Sequence, residues 1–124
     1  MKVLIVEDEG IIAEHLRMIA IDTGFTPLGP ASTMEQAMAY GPKAEIALID
    51  VGLVDGSSGL QLARRLIDRH YTTVIFVTGA PQILKDGFAG ALGVIAKPFL
   101  DAEVTEILER ARHMRLARGQ AIVD

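Results

Sequence analysis

Val3-Leu4-Ile5-Val6-Glu7-Asp8-Glu9 opens the chain with four apolar residues that stop abruptly at three acids. So short and unalternating an apolar run reads as a strand buried on both faces of a parallel sheet. Three more runs end the same way: Ile46-Ala47-Leu48-Ile49 at Asp50, Val74-Ile75-Phe76-Val77 at Thr78, and Val94-Ile95-Ala96 at Lys97. Parallel strands bring these terminators to one edge, and in an open α/β sheet ligands bind outside the carboxyl ends of the strands. Three carboxylates, a hydroxyl and an ammonium are therefore expected in one shallow pocket. The carboxylates suit a hard divalent cation, and the ammonium and hydroxyl suit an anion beside it. That combination describes a phosphoryl-transfer site.

Segments of helical period separate the runs, the pattern of βαβ units and a doubly wound α/β fold of five parallel strands and five helices. Ile12, Leu16, Ile19 and Ala20 mark helix 1, stopping at Gly24. A weak strand covers 25–28. Ser32-Thr33-Met34-Glu35 spells a capping box opening a short helix that ends near Gly41-Pro42. The stretch Asp55-Gly56-Ser57-Ser58-Gly59 has loop composition, and Leu60, Ala63, Leu66 and Ile67 mark helix 3. Helix 4 is expected over 82–91 and should be marginal, since Gly87 and Gly90 each cost about 1 kcal/mol in a helix interior. Asp101 is the expected cap of the last helix, whose inward stripe is Val104, Ile107, Leu108 and Ala111. Arg110, Arg112, Arg115 and Arg118 read as a solvated face that complements the helix dipole.

With 124 residues the chain has the size of one domain, 1–124, large enough to bury roughly two-thirds of its unfolded surface. Twelve Lys and Arg against sixteen Asp and Glu, a formal net charge of −4, argue against nucleic-acid binding by general electrostatics. The lack of cysteine excludes disulfides and thiolate zinc sites. No apolar stretch reaches the ~18 residues needed to span a bilayer, and Met1-Lys2 leads straight into a strand without a signal peptide. A cytoplasmic protein that binds neither nucleic acid nor membrane is expected.

The pocket chemistry has internal logic. A carboxylate nucleophile at Asp50 must approach an anionic phosphoryl group beside Glu7 and Asp8, and unit charges ~4 Å apart at an effective dielectric of ~20 repel by about 4 kcal/mol. A divalent cation reverses that field. Asp8 and Asp50 would ligate it directly, Glu7 directly or through water, with the Gly52 backbone carbonyl as a further donor. Lys97 and Thr78 would each meet a phosphoryl oxygen, while Gly79 leaves the approach unobstructed. Singly, each residue has a bland reading: Asp50 as a turn, Glu7-Asp8-Glu9 as an acidic first helical turn, Thr78-Gly79 as a turn, Lys97-Pro98 as a strand exit. Four complementary terminators together are far more specific. His15, His70 and His113 lack ligand spacing and read as helix-surface residues.

These motifs, from Val3-Leu4-Ile5-Val6-Glu7-Asp8-Glu9 through Asp50 and Thr78 to Lys97-Pro98-Phe99, resemble the receiver domain of two-component response regulators over essentially the whole chain. The resemblance implies a flavodoxin-like fold with strand order 2-1-3-4-5. It implies Mg²⁺ (or Mn²⁺) held by Glu7, Asp8, Asp50 and the Gly52 carbonyl, with Asp50 as phosphoacceptor and Thr78 and Lys97 on the phosphoryl oxygens. The implied partners are a sensor histidine kinase or histidine phosphotransfer protein upstream and an unknown protein downstream. Such a domain is a signalling phosphoacceptor that catalyses its own phosphorylation and dephosphorylation, not a turnover enzyme. A chain ending after its last helix is expected to be a stand-alone regulator. Three departures stand out. Val54 occupies a position where many receivers carry Pro. Val94 replaces a switching aromatic, so helix 4 and strand 5 are expected to carry the response. Phe76-Val77-Thr78-Gly79-Ala80 is similar to the Phe-Ala-Thr-Gly stretch of an alphaproteobacterial subgroup linked to HWE-type kinases.

Other readings fit less well. A haloacid-dehalogenase-like phosphatase needs a second carboxylate two residues after its nucleophile, where this chain has Gly52. A flavodoxin-like cofactor carrier needs a phosphate loop where Glu7-Asp8-Glu9 would repel phosphate, and the Rossmann glycine fingerprint is absent. A phosphorylation-independent binding module on the same scaffold usually lacks a pocket residue, and here none is missing.

Overall fold

The computed structural model of the chain describes residues 1–52, 56 and 58–123, the last four by backbone alone. Five parallel strands, β1 (Lys2–Val6), β2 (Thr26–Ala31), β3 (Ile46–Ile49), β4 (Thr73–Thr78) and β5 (Ala91–Ala96), form one sheet in the order β2-β1-β3-β4-β5. The α-helices are α1 (Gly10–Asp22), α2 (Met34–Tyr40), α3 (Gly59–His70) and α4 (Asp101–Val123), with single 3₁₀ turns at Gly41–Lys43 and Pro81–Leu84. Among the described residues no helix is long and apolar enough to cross a membrane.

Strand side chains alternate between two cores, as the two-residue period of a pleated strand requires. Val3, Ile5, Ile46, Leu48, Ile75 and Val77 pack under α1 and α4. Leu4, Val6, Ala47, Ile49, Val74 and Phe76 pack under α2, α3 and Leu84. Register then sets the site. Val6 pairs with Ile49, so Glu7 and Asp50 leave adjacent strands side by side. Thr78 pairs with Ala96, and the Lys97 amide donates to the Thr78 carbonyl at 2.9 Å.

The expected helix over 82–91 does not form, and the described chain has four α-helices rather than five. After the 3₁₀ turn the backbone passes through positive φ at Gly87 (81°) and Gly90 (91°) and enters β5 at Ala91. The glycines do more than weaken a helix here. They supply the left-handed bends that end it.

Smaller corrections share one theme, that neighbouring polar residues compete for a role. The α2 cap is Thr33, whose hydroxyl accepts from the Gln36 amide, while the Gln36 side chain accepts from the Ser32 amide. The capping pair therefore sits one residue later than Ser32-Glu35. Asp101 pairs with His15 across the structure, and Glu103 accepts the Leu100 amide instead. β2 runs to Ala31 through a cis Gly29-Pro30 bond, and Phe25 is buried in the core rather than on the strand. Pro27 and Pro30 fall on an edge strand, the place in a sheet where missing donors are tolerated.

Two of the four arginines of α4 are anchors. Arg112 donates to the Thr23 carbonyl and lies 4.2 Å over the Phe25 ring. Arg115 donates to the Tyr71 carbonyl and the Thr73 hydroxyl, and its burial pushes its pKa below the ordinary arginine value. His113 is exposed, His70 half-buried, and His15 engaged. Val54, Asp55 and Ser57 of the expected turn lie outside the described residues.

Candidate functional site

The strand ends converge as the apolar runs imply. Carboxylate oxygens of Glu7, Asp8 and Asp50 all lie within 4.8 Å of one another. Glu7 is buried at 3 % exposure, Asp50 half-buried and Asp8 exposed, so the group opens to solvent on the Asp8 side. Lys97 reaches into it: its Nζ is 2.5 Å from Glu7 Oε1, 3.4 Å from Asp50 Oδ2 and 3.8 Å from Glu9 Oε1. A neighbouring concavity of about 380 Å³ is lined by Asp50, Gly52, Thr78, Gly79 and Lys97 among others.

Electrostatics follow from this crowding. Burial, with the charge of Asp50 adding to it, lifts Glu7 from its ordinary 4.5 to about 7, although the Lys97 ammonium opposes the shift. Burial depresses Lys97, but Glu7 foremost, then Asp50 and Glu9, more than offset it and hold the ammonium above its ordinary value. Lys97 therefore stays charged at neutral pH, and Glu7 is poised to ionise when positive charge arrives.

Local structure fixes each group. The Asp50 amide donates to the Val6 carbonyl at 2.9 Å. Behind it, the Gly59 amide donates to the Val51 carbonyl at 2.6 Å, and a Cβ at Gly59 would run into the Asp50 carbonyl. Only glycine lets α3 begin so close to the Asp50 backbone. The Thr78 hydroxyl accepts from the Ala80 amide at 3.0 Å, which leaves its own proton free to donate. Lys97-Pro98 is a cis bond.

The candidate site residues Glu7, Asp8, Asp50, Gly52, Thr78 and Lys97 thus lie at one edge. Gly52 lines the concavity and bridges to Ser58 across the loop after β3. The sequence reading passed over three contributors. Glu9 is a third carboxylate near Lys97, and its amide donates to Glu7 Oε2 at 3.3 Å. Gly59 and Ala80 act through backbone. The third acid of Glu7-Asp8-Glu9 was the available signal for Glu9, whereas nothing in composition marks a backbone donor. The donor set is all oxygen, carboxylate-rich and open on one side. It fits Mg²⁺, a hard cation that keeps several waters.

The response regulator receiver domain model matches residues 3–109. The phyllosphere-induced regulator PhyR of Methylorubrum extorquens is 32 % identical over 114 residues, 89 % of this chain and 43 % of that protein. Among solved structures, PhyR from Brucella abortus superposes with a TM-score of 0.86 at 28 % identity, over 98 % of this chain and 51 % of the other. The receiver domain of PhyR from Erythrobacter litoralis gives 0.82 at 30 %, over 90 % and 89 %. The chain spans about half the length of the curated relatives it matches. These similarities agree with the resemblance carried by Phe76-Val77-Thr78-Gly79-Ala80. Receiver domains are the signalling phosphoacceptors of bacterial two-component phosphorelays and bind Mg²⁺ at an acidic pocket. This chain belongs to the response regulator receiver domain family.

Proposed function

We propose that residues 1–124 act as one phosphoacceptor domain whose acceptor is Asp50, fed by the phosphohistidine of a histidine kinase or a histidine phosphotransfer protein. The observation that carries this reading is the placement of Lys97 Nζ against Glu7 and Asp50 inside the carboxylate group. An Asp50 oxygen attacks phosphorus, and the new O–P bond forms as the donor's N–P bond breaks. The departing imidazole keeps the electron pair, and the proton already on its other nitrogen leaves it neutral. Attack of water on the acyl phosphate later returns aspartate and inorganic phosphate.

Glu7, Asp8, Asp50 and the Gly52 carbonyl would hold Mg²⁺ or Mn²⁺. When bound, the ion supplies the positive charge that lets an anionic carboxylate meet an anionic phosphoryl group. Lys97 exchanges its carboxylate partners for a phosphoryl oxygen, and Thr78 donates its free hydroxyl proton to another. The added charge of about −1.5 to −2 draws both inward, and the 79–90 connection and β5 carry the change to a downstream protein. The likeness of Phe76-Val77-Thr78-Gly79-Ala80 to the Phe-Ala-Thr-Gly stretch of the subgroup linked to HWE-type kinases supports such a kinase as the upstream donor.

The test is intact-mass analysis with Mg²⁺ and a small acyl phosphate. One phosphoryl group should be gained, and Asp50→Asn should gain none, because a carboxamide cannot form the acyl phosphate. Equal labelling of both proteins would reassign the acceptor.

A further inference from the structure

We infer that His15 and Asp101 form a clasp that positions Lys97 for the phosphoryl group, an inference that rests on the phosphoacceptor reading. His15 Nε2 lies 2.6 Å from Asp101 Oδ1, a contact between residues 86 positions apart. The same imidazole stacks on Phe99, with ring centroids 5.2 Å apart and planes tilted by 31°. A carboxylate can only accept, so Nε2 carries the proton and the bond exists whether the imidazole is neutral or cationic.

What makes this more than a surface ion pair is where its two ends lead. His15 lies on α1, which begins at Gly10 directly after the Glu7-Asp8-Glu9 acids. Phe99 and Asp101 lie two and four residues beyond Lys97. Upstream, the Lys97 backbone is tied to the strand end by its bond to the Thr78 carbonyl. Downstream, Pro98 has no amide to donate, and the Leu100 amide bonds only within its own segment, to Glu103. The clasp therefore holds the β5–α4 loop to α1 at the point where the backbone does not. Lys97 is also joined to α1's leading acids through its ammonium, at Glu7 and Glu9. Those ammonium contacts are the ones the phosphoryl group must break. Once they are gone, the clasp remains to keep the loop registered on α1, so that the ammonium travels to the phosphoryl oxygen and not away into solvent.

Ring and hydrogen bond can be separated by substitution. His15→Phe keeps the stack and loses the bond. His15→Gln keeps a donor near the Nε2 position and loses the ring, and His15→Ala loses both. Each is titrated with beryllofluoride, a phosphoryl mimic, in saturating Mg²⁺, and separately with Mg²⁺ alone. His15→Ala should weaken mimic binding by about fivefold, the added cost of ordering the freed loop and the Lys97 side chain when the mimic binds, with Phe and Gln each restoring part of the loss. Mg²⁺ affinity should hold, because no clasp atom touches the carboxylate group. Asp101→Asn should weaken mimic binding less than His15→Ala, and the double substitution should cost no more than His15→Ala alone, as expected for one coupled unit. Unchanged mimic affinity in His15→Ala would overturn the clasp, as would an equal fall in Mg²⁺ affinity, which marks a merely structural role. If the unaltered protein binds no mimic, the phosphoacceptor reading is what fails. Amide exchange at Phe99 and Leu100 then decides: faster exchange in His15→Ala supports the clasp, and unchanged exchange refutes it.

Discussion

The sheet is covered unequally on its two faces. On one, α1 and α4 present continuous stripes, Ala13, Leu16, Ile19 and Ala20 against Val104, Ile107, Leu108 and Ala111, all buried. On the other, α2 buries only Ala37, and beyond α3 the cover continues as a 3₁₀ turn and a glycine-bent strand entry, held to the core by Leu84 and half-buried Phe88. The carboxylate-bearing edge draws its precision from the central strands, which are packed on both faces. The 79–90 connection leaves that same edge with few apolar anchors. Segments with few buried contacts open at low free energy and are the ones that can switch. On the proposed function, receiving a phosphoryl group and responding to it would fall to regions of different rigidity.

The contrast is broken most severely at its rigid end. Phe76 is fully buried in β4, with Phe88 edge-on at 5.1 Å. Phe76→Ala should cost about 3–5 kcal/mol in denaturant unfolding, and Phe88→Ala about 2 kcal/mol or less because its ring is only half-buried. Equal losses would mean that the 79–90 connection is as firmly packed as the strands.

Between the extremes lies the charge balance of the site. Glu7, with its carboxyl lifted to about 7, must be ionised to ligate Mg²⁺. Affinity should therefore fall as pH drops below about 7, approaching tenfold per pH unit where proton and cation compete for the same carboxylate. The metal-free fold should show the opposite slope. A carboxyl with a raised folded-state pKa contributes stability that is present below the ordinary 4.5 and is lost as pH rises through about 7. Glu7→Gln should flatten both curves, measured by Mg²⁺ titration and by thermal unfolding with chelator. A Mg²⁺ affinity flat from pH 5 to 8 would exclude Glu7 as a ligand.

The thinly anchored side gives a smaller signal. Gly90 has φ of 91°, and a Cβ there would meet the Ile67 side chain at 3.0 Å. Gly87 has φ of 81° with nothing within 4 Å. Alanine at either should cost about 1–2 kcal/mol for the left-handed backbone, with Gly90→Ala the worse because Ile67 must also move. Neither should raise helicity. A gain in helical circular dichroism would revive a helix over 82–91.

Those glycines also mark where the sequence stopped being legible. Strand ends were readable because a buried parallel strand leaves an unbroken apolar run, and whatever polar residue ends it must lie at the sheet edge. Leu84, Phe88 and Ala91, spaced by four and three, imitate a helical stripe equally well. Two glycines three residues apart were the visible objection, but sequence alone reads them as a penalty and not as bends of fixed hand. Arg112 and Arg115 escaped for a different reason. Their partners, Thr23, Phe25, Tyr71 and Thr73, are far away in the chain, so a local reading sees only charge near a helix end. Gly59 and Ala80 act through backbone atoms that every residue type shares.

The smallest effect resolves the competition at the start of α2, on the thinly covered face. Ser32 and Thr33 are both chemically able to cap, and the sequence favours Ser32 because Glu35 follows it by three. The backbone decides for Thr33, which is extended at φ −128° and ψ 160°, with its hydroxyl accepting from the Gln36 amide. Gln36 completes the pairing by accepting the Ser32 amide at 2.9 Å. Thr33→Ala should therefore cost about 1 kcal/mol. Ser32→Ala keeps that amide and loses only an exposed hydroxyl contact with Gln36, so it should fall within about 0.5 kcal/mol of neutral. Chemical denaturation of both variants sharpens the contrast between the faces, since α2 buries a single alanine and must draw more of its stability from its cap than α1 does. If Ser32→Ala proved the costlier change, the cap would belong to Ser32, and α2 would begin one residue earlier than the backbone places it.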